Sequence, residues 1–192
     1  MRYKQGQKEE TRHKILKAIH KGFREHGFDG AGVDGLAKEA GVTSGAFYTH
    51  FDSKAKAFQE AMAMGVGEFR GAVEHYQQEF GGDWLNEFSD FYVGEKRKCE
   101  LGNSCALQSL SSEVGRANEQ TRAVYQSELL KAADSFASGL PFDEEASMDK
   151  TWATIAMLIG GATLARAVKD PKLADDISHA VTEAIKKSSS IT

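Results

Sequence analysis

The stretch from Val33 to Phe51 leaves the chain few ways to fold. Leu36, Ala37 and Ala40 recur at helical spacing and give a first short segment one apolar face. Gly41 follows, and glycine enters the left-handed turn region without a Cβ penalty. Val42 offers an apolar plug for the turn, and Thr43 or Ser44 can cap a second short segment. Phe47 and Phe51, four residues apart, set two rings on one side of that segment. Two short helices crossing steeply around a small-residue turn form a helix-turn-helix.

The flanking sequence reads as helix throughout. Ile15, Leu16, Ile19 and Phe23 predict a helix from about Glu9 to His26, with Gly27 as its C-cap and Phe28 buried at the turn. Asp52 or Ser53 caps a long fourth helix carrying Ala57, Phe58, Ala61, Met62, Val66, Phe69, Val73 and Tyr76 to about Phe80. Gly65, Gly67 and Gly71 weaken it. After Gly81-Gly82, Asp83 caps a helix with Trp84, Leu85, Phe88, Phe91 and Tyr92. Asn103 or Ser104 starts another, with Cys105, Leu107, Leu110 and Val114 apolar and Gly115 at its end. Further helices are predicted over residues 118–138, 144–168 and 172–187, the last two parted by Asp170-Pro171. Two prolines in 192 residues agree with an all-α fold of about nine helices. The expected division is a three-helix module over residues 1–56 and a helical body over 57–192.

Charge follows the same division. Residues 1–56 hold eleven Lys/Arg against seven Asp/Glu; the remainder holds thirteen against twenty-one. A small basic module on an acidic body suits a nucleic-acid binder with a separate regulatory part. No run is long and apolar enough to span a membrane, and no secretory leader is evident. Two cysteines, Cys99 and Cys105, are too few for a disulfide scaffold, so reduced thiols and a cytoplasmic setting are expected. The histidines form no metal pattern, and His13 and His20 are expected to face solvent. No nucleophile elbow, phosphate-binding glycine loop or paired carboxylates point to an enzyme, and no cofactor is implied.

With Phe47 and Phe51 turned inward, the second short helix presents Thr43, Ser44, Ala46, Tyr48, Thr49 and His50 outward. Small side chains let such a helix sit deep in a DNA major groove about 12 Å wide. Hydroxyls can meet phosphates and base edges, and the Ala46 and threonine methyls can touch thymine methyls. Tyr48 serves either as a packing aromatic or as a phosphate contact, and His50 either packs on the turn or meets DNA. Lys54 opens the next helix, where free N–H groups and an ammonium together favour phosphate. Arg2, Lys4 and Lys8 form either a solvated tail or a minor-groove arm.

The run Gly41-Val42-Thr43-Ser44-Gly45-Ala46-Phe47-Tyr48-Thr49-His50-Phe51, followed by Ser53-Lys54, resembles the TetR-family DNA-binding motif. Thr11-Arg12-Ile15-Leu16-Ala18 and Gly27-Phe28 match its first helix, so the resemblance covers about residues 8–60. It implies a symmetric homodimer placing two reading helices on a palindromic operator in double-stranded DNA, with Gly45 among the contact positions. It implies dimerisation through the helices near 144–168 and 172–187, and a repressor released by a small effector bound in the C-terminal part. The stretch Cys105 to Arg122 also resembles a branch with members that respond to reactive or hydrophobic compounds. Two departures stand out. The family's Thr and Ser before the second helix are here Ala31 and Gly32. The reading helix also lacks Arg, Lys, Asn and Gln, the best bidentate base readers, which shifts weight to Tyr48, Thr49 and DNA shape.

Candidate effector-pocket residues are Trp84, Phe88, Tyr92 and Trp152, each read otherwise as core. Cys105 is either a buried small hydrophobe or a sensor thiol activated by a helix N-terminus and by Lys96, Arg97 or Lys98, with Cys99 as a resolving partner. A DNA-binding interaction module without effector control is the competing reading.

Overall fold

The computed structural model describes residues 5–141 and 144–189. Among these are nine α-helices and no strand: α1 Gln5–Gly30, α2 Val33–Glu39, α3 Ser44–His50, α4 Lys54–Phe80, α5 Trp84–Val93, α6 Ala106–Arg116, α7 Glu119–Ala137, α8 Glu144–Ala167 and α9 Pro171–Ser189. Short 3-10 turns occupy Gly81–Asp83, Lys96–Lys98 and Leu101–Asn103. No helix among the described residues is long and apolar enough to cross a membrane. The chain divides into two compact units, one formed by the chain up to Gly65 together with Leu101–Gln126, the other by Val66–Glu100 together with the chain from Ser127 onward.

The first unit is built around Ile15, Ile19, Phe23, Leu36, Phe47, Phe51, Phe58 and Met62, all buried. The Phe58 ring meets Phe23 and Phe28 edge-on, each at 5.1 Å between centroids. Gly27 takes φ 70°, yet helical structure resumes beyond it to Gly30, so the glycine kinks α1 where a simple C-cap was expected. A Cβ at Gly27 would come within 2.7 Å of the Glu113 carboxylate, which accepts a 2.6 Å hydrogen bond from the Phe28 N–H. Phe28 itself is half-buried rather than buried.

His20 corrects a second expectation: it is 2% exposed, whereas His13 is exposed. Helix α1 packs against both α2 and α6, so its buried surface is wider than the Ile15–Ile19–Phe23 stripe. Gly65 makes room for His20. A Cβ there would lie 2.3 Å from the Ala106 Cβ and 2.5 Å from the His20 Cε1. Helix α6 also starts later than the sequence suggested, with Cys105 as its N-cap and no side-chain cap. The Ser104 hydroxyl instead donates to the Leu101 carbonyl at 2.6 Å and closes the preceding turn. Gly115 does not end α6, which continues to Arg116.

The second unit gathers Phe69, Trp84, Phe88, Tyr92 and Phe136 in an aromatic core. Trp84 meets Phe136 edge-on at 4.8 Å and donates its indole N–H to the Gly139 carbonyl at 2.8 Å. Asp83 stands at the N-cap of α5 as expected but makes no side-chain cap; its carboxylate accepts from the Asn86 amide at 2.6 Å. Helices α8 and α9 pack together at Gly161, where a Cβ would fall 2.6 Å from Val181 Cγ2.

Two glycines of α4 separate packing from helix propensity. Gly65→Ala forces an overpacked contact and is expected to cost about 1–3 kcal/mol. Gly71 is exposed with nothing within 4 Å of an added Cβ. Gly71→Ala should stabilise by about 0.5–1 kcal/mol through propensity alone. Urea denaturation midpoints that shift in opposite directions check both.

Candidate nucleic-acid interface

The geometry of α2 and α3 follows from a few local choices. Gly32 is the N-cap of α2 and supplies no side-chain acceptor, as the departure at this position anticipated. Gly41 takes φ 68° between the helices, and its neighbour Val42 donates its N–H to the Ala37 carbonyl at 2.9 Å. Thr43 caps α3 by accepting the Ala46 N–H on Oγ1 at 3.1 Å. The Ser44 hydroxyl donates to the Asp34 carboxylate, tying the start of α3 to α2. Phe47 and Phe51 are fully buried with centroids 5.3 Å apart. Val42 and Ala40 are half-buried.

Anchored by those rings, α3 turns the rest of its surface outward. Thr43, Gly45, Tyr48 and Thr49 are exposed; Ser44, Ala46 and His50 are half-exposed. Tyr48 is 55% exposed, although its ring edge rests on Phe47 at 5.5 Å. The Thr49 hydroxyl donates to the Gly45 carbonyl at 3.1 Å, which leaves its methyl and lone pairs for a ligand. Lys8, Thr11, Val42, Ala46, Thr49 and His50 border an open groove of about 510 Å³ between α1 and α3. Lys8 is exposed at its edge; Arg2 and Lys4 lie outside the described residues.

Sequence reasoning gave Arg12 no role of its own. Its guanidinium lies 4.9 Å from the centre of the Phe51 ring and also bonds the Glu60 carboxylate. One side chain of α1 thus holds the end of α3 and the start of α4. Only its place in the motif signalled this, because Glu60 lies 48 residues away. Lys54 opens α4, where the Ser53 hydroxyl caps the backbone by accepting the Lys56 N–H at 3.1 Å. The Lys54 ammonium rests 4.5 Å over the Phe28 ring.

Glu25, His26 and Glu39 form a surface cluster with donor atoms within 4.8 Å of one another. His26 lies 3.5 Å from Glu39, and the group reads as a solvated ion-pair cluster. The predicted effector residues fall in both units. Trp84, Phe88 and Tyr92 are buried in the aromatic core of the second, and Trp152 is half-buried there. Cys105, 8% exposed, caps α6 in the first unit. Of the cations expected to activate it, Arg97 and Lys98 face Asp175 instead.

The arrangement defines a helix-turn-helix protein. Residues 15–61 match the family described as bacterial regulatory proteins, tetR family. The chain is 32% identical over 85 residues to the HTH-type transcriptional regulator AcrR of Shigella flexneri, covering 44% of this chain and 40% of that protein. It is 42% identical over 55 residues to the HTH-type transcriptional regulator SrpR of Pseudomonas putida, covering 29% and 26% respectively. These matches span well under half the length of the relatives. Across 96% of this chain and 98% of the other, the fold superposes on a TetR-family transcriptional regulator from Cytophaga hutchinsonii with a TM-score of 0.79 at 16% identity. The reduced form of NemR from E. coli gives a TM-score of 0.75 at 17% identity, covering 91% of this chain and 96% of that one. Over residues 15–61 the chain is thus similar to the tetR family of bacterial regulatory proteins, and its fold as a whole is that of these solved structures.

His50 sits where interface charge can be read. Burial, then the positive charges of Lys8 and Arg12, hold its imidazole below the ordinary value of 6.5. The unfolded chain therefore binds more protons there, and folding stability declines as pH falls through 6.5 toward the lower folded value. His50→Gln is expected to lessen the stability lost between about pH 7 and pH 5. Urea midpoints across that range check it; an unchanged pH slope would refute it.

Proposed function

We propose that the protein is a DNA-binding transcriptional repressor that acts as a homodimer on a palindromic operator and is released by a small effector. The observation that carries the reading is the outward face of α3: Thr43, Gly45, Tyr48 and Thr49 are exposed and Ser44, Ala46 and His50 half-exposed on a segment anchored by Phe47 and Phe51. The net positive charge of residues 1–56 supports attraction to phosphate. Tyr48 and Lys54 contact phosphates in this reading, while methyl groups and groove shape supply most of the sequence preference. Domain boundaries near residue 56 separate reading head from regulatory body.

Dimerisation through α8 and α9 is supported by Leu164 and Leu173, which are 61% and 45% exposed on these helices. A symmetric pair of heads then matches a two-fold operator. Trp84, Phe88, Tyr92 and Trp152 contribute apolar surface to an effector pocket, a small hydrophobic compound being the matching ligand.

Selection of bound duplexes from a random pool should return a palindrome. Its affinity should fall by about 10³-fold or more between roughly 50 and 200 mM salt. Tyr48→Phe should weaken binding about tenfold or more without lowering the thermal midpoint, consistent with loss of one hydrogen bond to a charged group. Recovery of no enriched sequence would refute the reading. A Leu164→Glu, Leu173→Glu double variant should run as a monomer in light scattering and bind the palindrome poorly. A dimer of unchanged affinity would exclude this interface.

A further inference from the structure

The turn Lys96–Lys98, Cys99 and the adjoining ends of α8 and α9 border an open cavity of about 460 Å³ in the second unit. Four cations line it, Arg97, Lys98, Arg166 and Lys169, against one carboxylate, Asp175. The unit as a whole is acidic, with eleven Lys/Arg against eighteen Asp/Glu. Positive charge is therefore concentrated at this cavity against the trend of its surroundings.

Arg97 is only 8% exposed. It bonds Asp175 through one terminal nitrogen, while its buried Nε has no acceptor. A guanidinium taken out of water and left with an unmatched donor is costly unless something completes its hydrogen bonding. Arg166 lines the same cavity and is fixed to the backbone of the turn, donating to the Arg97 carbonyl and, at 2.8 Å, to the Cys99 carbonyl. Two backbone bonds and a 3.9 Å contact to the Cys99 Sγ orient that guanidinium and still leave N–H groups available, since it carries five. Asp170 already occupies the N-terminus of α9, its carboxylate accepting the Lys172 N–H at 2.9 Å. The guanidinium groups, not the helix end, supply the attraction.

We propose that this cavity binds a small organic oxyanion, with a carboxylate or phosphate head held by Arg97 and Arg166. Planar guanidinium groups match the paired oxygens of either head. Ala165, Val168, Pro171 and Ala174 supply an apolar wall for the ligand's body. Lys98 and Lys169, both exposed, add long-range attraction at the mouth. Asp175, itself 63% exposed, engages one side of Arg97 and leaves the other to the ligand. Its use as an effector site rests on the repressor reading above; the binding itself does not.

Calorimetric titration of the DNA-free full chain at constant ionic strength tests the site, with phenyl phosphate, benzoate and uncharged benzyl alcohol as probes. Saturable binding of phenyl phosphate or benzoate, but not of benzyl alcohol, is expected, and the tighter of the two anions identifies the head group. Lys98→Gln with Lys169→Gln changes only exposed side chains and should weaken the anion about tenfold. Arg97→Gln should abolish binding, with circular dichroism as the check on folding. No saturable anion binding, or equal affinity in the Lys98→Gln, Lys169→Gln variant, would overturn the proposal. Failure to bind DNA with an intact titration would overturn the repressor reading alone.

Discussion

The outward face of α3 depends on the burial of Phe47 and Phe51. Helix α3 is seven residues long, far below the length at which a helix persists alone in water. Its shape is imposed by two rings fixed in the core of the first unit and by the Thr43 cap. Because those rings take one side, Tyr48 and Thr49 are forced to the other. Arg12 reinforces the arrangement from α1 by lying over Phe51 while bonding Glu60. The same packing that makes α3 a helix therefore decides what it can touch.

The first unit was legible in the sequence wherever the signal was local. Gly41 in the left-handed region, Thr43 as a cap, Gly32 as a cap without a side chain, and the inward phenylalanines all follow from residue type and short spacing. Local pattern fails where a second helix decides the outcome. The periodicity of α1 marks one stripe and leaves His20 outside it, yet packing against both α2 and α6 buries a wider surface. Ser104 is a good cap by type and suggests an early start for α6, but its hydroxyl closes the preceding turn instead. Asp83 was likewise diverted by Asn86.

The cationic cavity could not be read from spacing at all. Arg97 and Arg166 lie 69 residues apart, and in sequence each looks like an ordinary surface charge. By sequence Lys96, Arg97 and Lys98 suggest only cations near Cys105, whereas folding buries Arg97 and pairs it with Asp175. Aromatic residues were the easier signal in this unit, and they form its core as their spacing predicts. The second unit thus combines a buried aromatic core with a separate cationic cavity, and only the first announces itself by pattern.

The claim that the exposed face of α3 enters the major groove is tested most directly by methylation protection at guanine N7 on the selected duplex. N7 lies in the major groove, so the account predicts two protected patches on one face of the duplex. They should be symmetric about the palindrome centre and separated by about 10 base pairs or a multiple of that. Protection should weaken at both patches in Tyr48→Ala. Binding without major-groove protection, or protection unchanged by Tyr48→Ala, would contradict it.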